Sequence, residues 1–102
     1  MSGIPYDQLK ETPGARDGET PVHRVKRLAM RSMRRGIKEM DIILSRYADD
    51  HLAKMSTDQL DQYEALLGEN DQDLYQWVSG QQDAPEAFSG LIAQIAGHMQ
   101  TR

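Results

Sequence analysis

The chain has 102 residues, which is enough for one small domain and too few for a nucleotide-binding domain beside a substrate domain. Its net charge is −4. It contains no cysteine, which excludes disulfides, thiolate zinc sites, iron–sulfur clusters and a cysteine nucleophile. No run of about 18 apolar residues occurs, so the sequence predicts no insertion into a membrane. The three histidines are scattered along the chain and predict no metal site: His23, His51 and His98.

Charge is divided unevenly along the chain. Residues 1–38 carry nine Lys or Arg and four acids, a net charge of +5, whereas residues 39–102 carry three bases and twelve acids, a net charge of −9. A basic block beside an acidic body is typical of a surface that contacts an anionic partner. Because the basic helix predicted here has no aromatic residue for stacking on a base and the rest of the chain is acidic, we expect no nucleic-acid partner.

Residues 1–20 are predicted to form a disordered arm in front of one helical domain at 21–100. Glycines, prolines and mixed charges fill this segment without an apolar period, so it cannot bury enough surface to offset its ordering entropy. It lacks the apolar stretch of a secretory signal, and its four acids do not fit a mitochondrial transit peptide. We therefore expect a cytoplasmic protein from a bacterium.

From Pro21 onward, apolar residues recur every three to four positions, which predicts helices. The first helix begins at Pro21 with Thr20 as its cap, and Gly36 interrupts the run. The apolar stripe predicted for this helix consists of Val22, Val25, Leu28, Ala29 and Met33. A second helix then extends to about Leu52.

Capping signals mark three further helices. Ser56 followed by Gln59 is a capping-box pattern, and Gly68 ends the helix that it opens. A short fourth helix is capped by Asn70 and ends at Gly80, and a fifth begins at Pro85 and Glu86. Since no window alternates at period two and the connections are short, the sequence predicts an all-α fold, a compact five-helix bundle with a flexible N-terminal arm. We also expect a monomer.

Enzyme signatures are missing from the chain. It contains no nucleophile elbow, P-loop or dinucleotide-binding glycine pattern. The clustered acids and one histidine lie near predicted helix ends, where caps and dipole partners are normal: Asp49, Asp50, His51, Glu69, Asp71 and Asp73. We therefore predict no catalytic residue and no residue that binds a metal.

The most informative local pattern is Arg34-Arg35-Gly36-Ile37-Lys38-Glu39-Met40-Asp41. A glycine between two amphipathic segments lets another backbone approach closely. Arg35 and Glu39 are four residues apart, so in a helix both project from one face, where a local ion pair is the simplest explanation. Taken alone, R-G-x-x-E is a weak five-residue pattern.

Further patterns follow this one in a fixed order between Arg31 and Ile95. They are Ile43-Leu44-Ser45-Arg46-Tyr47-Ala48, His51-Leu52, Met55-Ser56, Leu60-x-x-Tyr63-x-x-Leu66-Leu67, Asp71-x-Asp73-Leu74-Tyr75-x-Trp77-Val78 and Ala84-Pro85-Glu86-x-Phe88. The ordered set resembles the succinate dehydrogenase assembly factor family, called SdhE in bacteria and assembly factor 2 in mitochondria.

The resemblance implies a small five-helix maturation factor. Such proteins help attach FAD covalently to the flavoprotein subunit of succinate dehydrogenase and, in bacteria, of fumarate reductase. The family's R-G-x-x-E motif contacts this client close to its flavin site. The matching residues here are Arg35, Gly36 and Glu39, with Arg34 and Asp41 adjacent.

The resemblance also implies that the histidine that receives the flavin belongs to the client. We therefore expect a non-catalytic factor without a tightly bound cofactor, since FAD is delivered to or attached on the client. Two alternatives remain open. The first is a small regulatory or antitoxin-like interaction protein, and the second is a nucleic-acid binder that uses the basic first helix.

Overall fold

A computed structural model describes residues 14–33 and 35–101 of the chain. Within these ranges the chain forms five α-helices and no strand, so the predicted all-α five-helix fold is confirmed. The helices are α1 (Pro21–Met33), α2 (Lys38–His51), α3 (Thr57–Leu67), α4 (Asp71–Val78) and α5 (Glu86–Thr101), and a 3-10 turn (Leu52–Lys54) follows α2. None of these helices is both long enough and apolar enough to cross a bilayer.

The predicted caps are present at three helix starts. The Oγ1 of Thr20 accepts a hydrogen bond from the backbone N–H of His23 at 3.2 Å. At the start of α3, Ser56 and Gln59 make both hydrogen bonds of a capping box, at 2.8 and 3.2 Å. Asn70 caps α4 through a bond from the backbone N–H two residues on. These side chains satisfy N–H groups that a helix leaves without a partner, so the local sequence defines where each helix begins.

The core lies around α2, which packs against α1, α4 and α5. Every helix contributes apolar side chains to it, and the fully buried ones include Leu28, Met40, Leu44, Tyr47, Leu52, Tyr63, Leu66, Leu74 and Ile95. Inside this core the Ser32 hydroxyl donates to the carbonyl oxygen of Leu28 at 2.8 Å and lies 2.6 Å from the Tyr63 hydroxyl, so both buried hydroxyls have hydrogen-bond partners.

The buried face of α1 differs from the predicted apolar stripe. Leu28 is buried as predicted, but Val22 is 63% exposed and Met33 is also exposed. Arg24 is buried instead, because α1 faces α3 and the carboxylate of Glu64 lies within hydrogen-bond distance. A buried charge is tolerated where it is paired and hydrogen-bonded, and the apolar period alone does not reveal such a partner.

The predicted arm is described only over residues 14–20, and residues 1–13 lie outside the described part. The described segment contacts the helices: the backbone N–H of Gly14 donates to Glu64 at 3.2 Å, and Glu19 forms an ion pair with Arg27 at 2.8 Å. The prediction of a disordered arm considered composition alone and did not include these charged contacts. The domain boundary at residue 21 stays a prediction.

Candidate functional site

The motif lies in the connection between α1 and α2 and in the first turn of α2. Residues 35–37 are not helical, and Ile37 has extended backbone angles, φ −116° and ψ 126°, immediately before α2 begins. Arg35 and Glu39 therefore do not share a helix face, although their spacing predicts that they do. The reason is that the Arg35 side chain bonds to α4 and to the end of α3, while Glu39 belongs to α2.

Arg35 is held by acceptors of its own chain. Its Nε donates to Asp71 Oδ1 at 2.7 Å, and an Nη lies 2.6 Å from the same oxygen. Its other donors reach the carbonyl oxygens of Leu67 at 2.9 Å and Glu69 at 3.2 Å. The side chain is only 10% exposed. We call these contacts the Arg35 clamp; they satisfy the carbonyl of Leu67, the last residue of α3, and that of Glu69 in the turn that follows the helix.

Asp71 also fixes Gly36. Its second carboxylate oxygen, Oδ2, accepts a hydrogen bond from the backbone N–H of Gly36. Gly36 is exposed, and its φ is not in the positive region. A Cβ at this position would lie 3.2 Å from Asp71 Oδ2, which is a tight contact. A side chain at position 36 would therefore press on the Asp71 carboxylate, whereas the backbone conformation there does not itself require glycine.

The two acids of the motif lie in the first turn of α2. Glu39 is exposed, and its carboxylate makes no hydrogen bond or ion pair with any residue that the structure describes. Asp41 is half-buried in the same turn. Negative charge is favourable at a helix N-terminus, so both acids are stabilised there while their oxygens can accept further hydrogen bonds. The fifth predicted site residue, Arg34, lies outside the described residues.

A second charged cluster joins α1 to α3. Its centre is Glu64, whose side chain is 1% exposed. Glu64 accepts from Arg24 at 3.0 Å and from Arg27 at 2.7 Å, and Arg31 lies 3.7 Å away. Arg27 also bonds to Glu19, as described above. Three bases of the predicted basic block are thus paired with acids of their own chain, which argues against a face of α1 that contacts phosphates.

The arginines determine the charge state of this cluster. Burial alone would raise the pKa of Glu64, but hydrogen bonds from Arg27 and Arg24 outweigh it and hold the pKa below its ordinary value. The hydrogen bond from Arg27 lowers the pKa of Glu19 to about 2. Both carboxylates are therefore ionised at neutral pH.

Sequence reasoning missed Glu64 and the role of Asp71. Glu64 does carry a signal, because it falls within the apolar stripe of α3, between Tyr63 and Leu67. An acid in a buried stripe indicates a basic partner on a facing helix. Asp71 carries no such signal, since it is one of several acids near the start of α4 and fits a dipole partner equally well.

Two histidines meet where the C-terminal turns of α2 and α5 lie side by side. The rings of His51 and His98 have centroids 5.2 Å apart, Tyr47 stacks on His51, and His98 Nε2 lies 2.6 Å from Asp50 Oδ2. Over 14–33 and 35–101, no three acidic or histidine side chains form a group that could hold a metal ion.

A family model described as flavinator of succinate dehydrogenase matches residues 26–99, which include the whole motif and the Arg35 clamp. The chain belongs to this family. The resemblance drawn from the ordered motifs is therefore confirmed over most of the chain.

Curated relatives carry a matching name. The chain is 45% identical over 86 residues to a protein of Aspergillus terreus named succinate dehydrogenase assembly factor 2, mitochondrial, with 84% of this chain and 28% of the relative aligned. The protein of that name from Penicillium rubens is 44% identical over 89 residues, covering 87% and 27%. That of Meyerozyma guilliermondii is 45% identical over 75 residues, covering 74% and 56%. The chain thus spans between about a quarter and just over half of these relatives.

The relatives contradict the predicted location. All three are named mitochondrial proteins and come from fungi, so the prediction of a bacterial cytoplasmic protein is wrong. The prediction relied on the acidic, glycine- and proline-rich composition of the first twenty residues. The relatives match mainly through the folded part of the chain, whose packing and motifs do not depend on that composition.

Proposed function

We propose that the chain binds the flavoprotein subunit of succinate dehydrogenase and promotes covalent attachment of FAD to it. The chain contributes a docking surface and no reacting group. The observation that carries this function is the match of residues 26–99 to the flavinator family. The position of the docking surface is inferred from the contacts within the motif. Arg35 is bound internally, while Gly36 and Glu39 are exposed on the loop and first turn that Arg35 and Asp71 hold in place.

The docking surface consists of Gly36, Glu39 and Asp41, with Arg34 beside them in the chain. Gly36 has no side chain, so the partner's backbone can approach closely. Glu39 and Asp41 offer carboxylate oxygens to donors on the partner, and such charge-assisted hydrogen bonds are among the stronger ones. Arg35 is not part of this surface, because its side chain bonds to Asp71 and holds the loop in place from the inside. The proposal thus differs from the resemblance, which implies a direct contact between Arg35 and the client.

The Arg35 clamp prepares the loop for binding. A loop that already has its bound shape loses less conformational entropy when the partner docks. Docking would then stabilise the client arrangement in which its histidine and the flavin are aligned. Orientation of this kind accelerates a reaction without a catalytic group from the helper. The resemblance gives the flavoprotein subunit of fumarate reductase as a client of bacterial members of the family, and we keep it as a second candidate client for the test.

The test uses the purified flavoprotein subunit without covalent flavin. FAD is added with and without the chain, and flavin fluorescence that survives denaturation is followed on the client band. We expect faster or more complete attachment with the wild-type chain and none of this gain with Gly36→Arg. The matched control is Gly90→Arg, because Gly90 is also exposed and a Cβ there meets nothing within 4 Å.

Circular dichroism is used to check that both variants keep the helical fold. Equal activity of a folded Gly36→Arg variant would contradict the proposed surface. Absence of both acceleration and complex formation with either flavoprotein subunit would contradict the function itself. The alternatives would then be tested by identifying a small toxin-like partner and by measuring salt-dependent retention of DNA or RNA.

A further inference from the structure

An apolar patch lies on the face that α2 and α5 share. Ile42 is 44% exposed and Met99 is 40% exposed, and both line one pocket of about 130 Å³. Ile43, Arg46 and His98 complete its lining. This volume is close to the roughly 150 Å³ of an engineered protein cavity that accommodates benzene, so the pocket can take one aliphatic or aromatic side chain.

This patch is continuous with the motif. Glu39, Ile42 and Arg46 follow one another at spacings of three and four residues on α2, so they form one exposed row along the helix. A shallow depression lined by Asp41, Ile42 and Ser45 connects the first turn of α2 to Arg46. The apolar patch around Ile42 therefore adjoins the proposed docking surface on the same helix.

Arg46 provides the charge that a partner would complement. It is exposed, and it makes no hydrogen bond or ion pair with any residue in the described ranges. Arg46 lines both depressions. An arginine at the edge of an apolar pocket is well suited to a bidentate contact with a carboxylate. The matching partner surface is an apolar side chain with an acidic residue next to it.

We infer that the flavoprotein client docks beyond the motif, placing one apolar side chain between Ile42 and Met99 and a carboxylate against Arg46. This inference rests on the proposed function and extends its surface from the α1–α2 connection to the C-terminal part of α5. Exposed apolar residues in a small pocket, surrounded by polar groups, are typical of the energetically dominant centre of an interface.

A second copy of the chain is a poorer occupant. A stable interface between two proteins buries about 1,200 Å² or more, and obligate homodimer interfaces are larger and more apolar. Here the exposed apolar centre consists of two side chains, Ile42 and Met99, which is too small for an interface of that kind. We therefore assign the patch to the client.

The test measures the affinity of the chain for the purified flavoprotein subunit by titration calorimetry. We expect Ile42→Glu to weaken binding at least tenfold, because it puts a charge into the pocket that the client side chain fills. Arg46→Glu is expected to weaken binding several-fold and to reduce its dependence on salt. Val22→Glu is the matched control, since Val22 is an equally apolar and more exposed residue on α1, and it should bind like the wild type.

The outcomes separate this inference from the proposed function. If the wild type binds and Gly36→Arg does not, but Ile42→Glu and Arg46→Glu bind normally, the extended surface is wrong and the motif surface stands. If the wild type fails to bind the flavoprotein subunit, the proposed function is wrong and the inference falls with it. If Ile42→Glu instead abolishes a dimer seen by light scattering while client binding is unchanged, the patch is an interface between copies.

Discussion

Asp71 connects parts of the chain that the sequence keeps apart. One carboxylate oxygen accepts a hydrogen bond from the guanidinium of Arg35, which lies 36 positions earlier in the chain. The other oxygen accepts a hydrogen bond from the backbone N–H of Gly36. Hydrogen bonds to charged groups contribute about 1.5–3 kcal/mol each, and more is lost when a buried partner is left unpaired. Asp71 therefore holds the loop that carries the motif, although it lies on a different helix.

This role predicts that Asp71 acts on client binding through the loop. Asp71→Asn keeps the size of the side chain but removes the charge that binds Arg35. We expect about tenfold weaker binding to the flavoprotein subunit with nearly unchanged helix content, measured by calorimetry and circular dichroism. Asp73→Asn is the matched control, because Asp73 is an exposed acid in the same first turn of α4. Equal losses for the two variants would contradict a positioning role.

The pairing of α1 with α3 depends on charge as well as on apolar packing. Glu64 is the buried acceptor for arginines that α1 presents toward α3. Asp61, one turn earlier on α3, also bonds to Arg24 at 2.6 Å, but its side chain is 44% exposed. Both acids thus contact α1, but Glu64 is buried whereas Asp61 is exposed to solvent.

Because Glu64 and Asp61 differ in burial, we expect their replacement by alanine to lower the free energy of unfolding by different amounts. Glu64→Ala removes the buried acceptor that Arg24 and Arg27 share and leaves each with one more exposed acid, Asp61 or Glu19. We expect it to lower the free energy of unfolding by about 3 kcal/mol, the lower end of the range for breaking a buried ion pair. Asp61→Ala removes a more solvated ion pair and should lower it by about 1 kcal/mol or less. Urea unfolding followed by circular dichroism measures both variants. A loss for Glu64→Ala no larger than that for Asp61→Ala would show that apolar packing alone joins the two helices.

The stability of the whole molecule should depend on pH in the acid range. The folded state holds the pKa of Glu19 at about 2 and that of Glu64 below its ordinary value. The unfolded chain binds protons on these groups at higher pH, near 4.5. The stabilisation they provide is therefore fully present above about pH 4.5 and is lost as the pH falls toward 2.

We expect the temperature of the thermal unfolding midpoint to decrease as the pH is lowered from 5 to 2.5. The slope should be smaller for Glu19→Gln, because that variant cannot take up a proton at this position. The measurement is the midpoint by circular dichroism across the pH series, with wild type and variant compared at each pH. Identical slopes for the two proteins would contradict the ion pair between Glu19 and Arg27.

Much of this protein is determined by interactions between residues close in sequence. A cap bonds to backbone groups two or three residues away, and an apolar stripe repeats every three to four residues, so Thr20, Ser56 and Asn70 could be assigned before the structure was known. The same holds for the five helices and for the ordered motifs that identify the family.

Only the tertiary structure determined where the charged side chains point. Arg24 is buried because Glu64 lies opposite it, 40 positions later in the chain, and Arg35 turns inward because α4 brings Asp71 to it. Ile42 and Met99 share a pocket because α2 and α5 pack side by side. Such partners depend on how helices are packed and not on local spacing, so the sequence predicted the position of the motif but not which of its side chains face a partner.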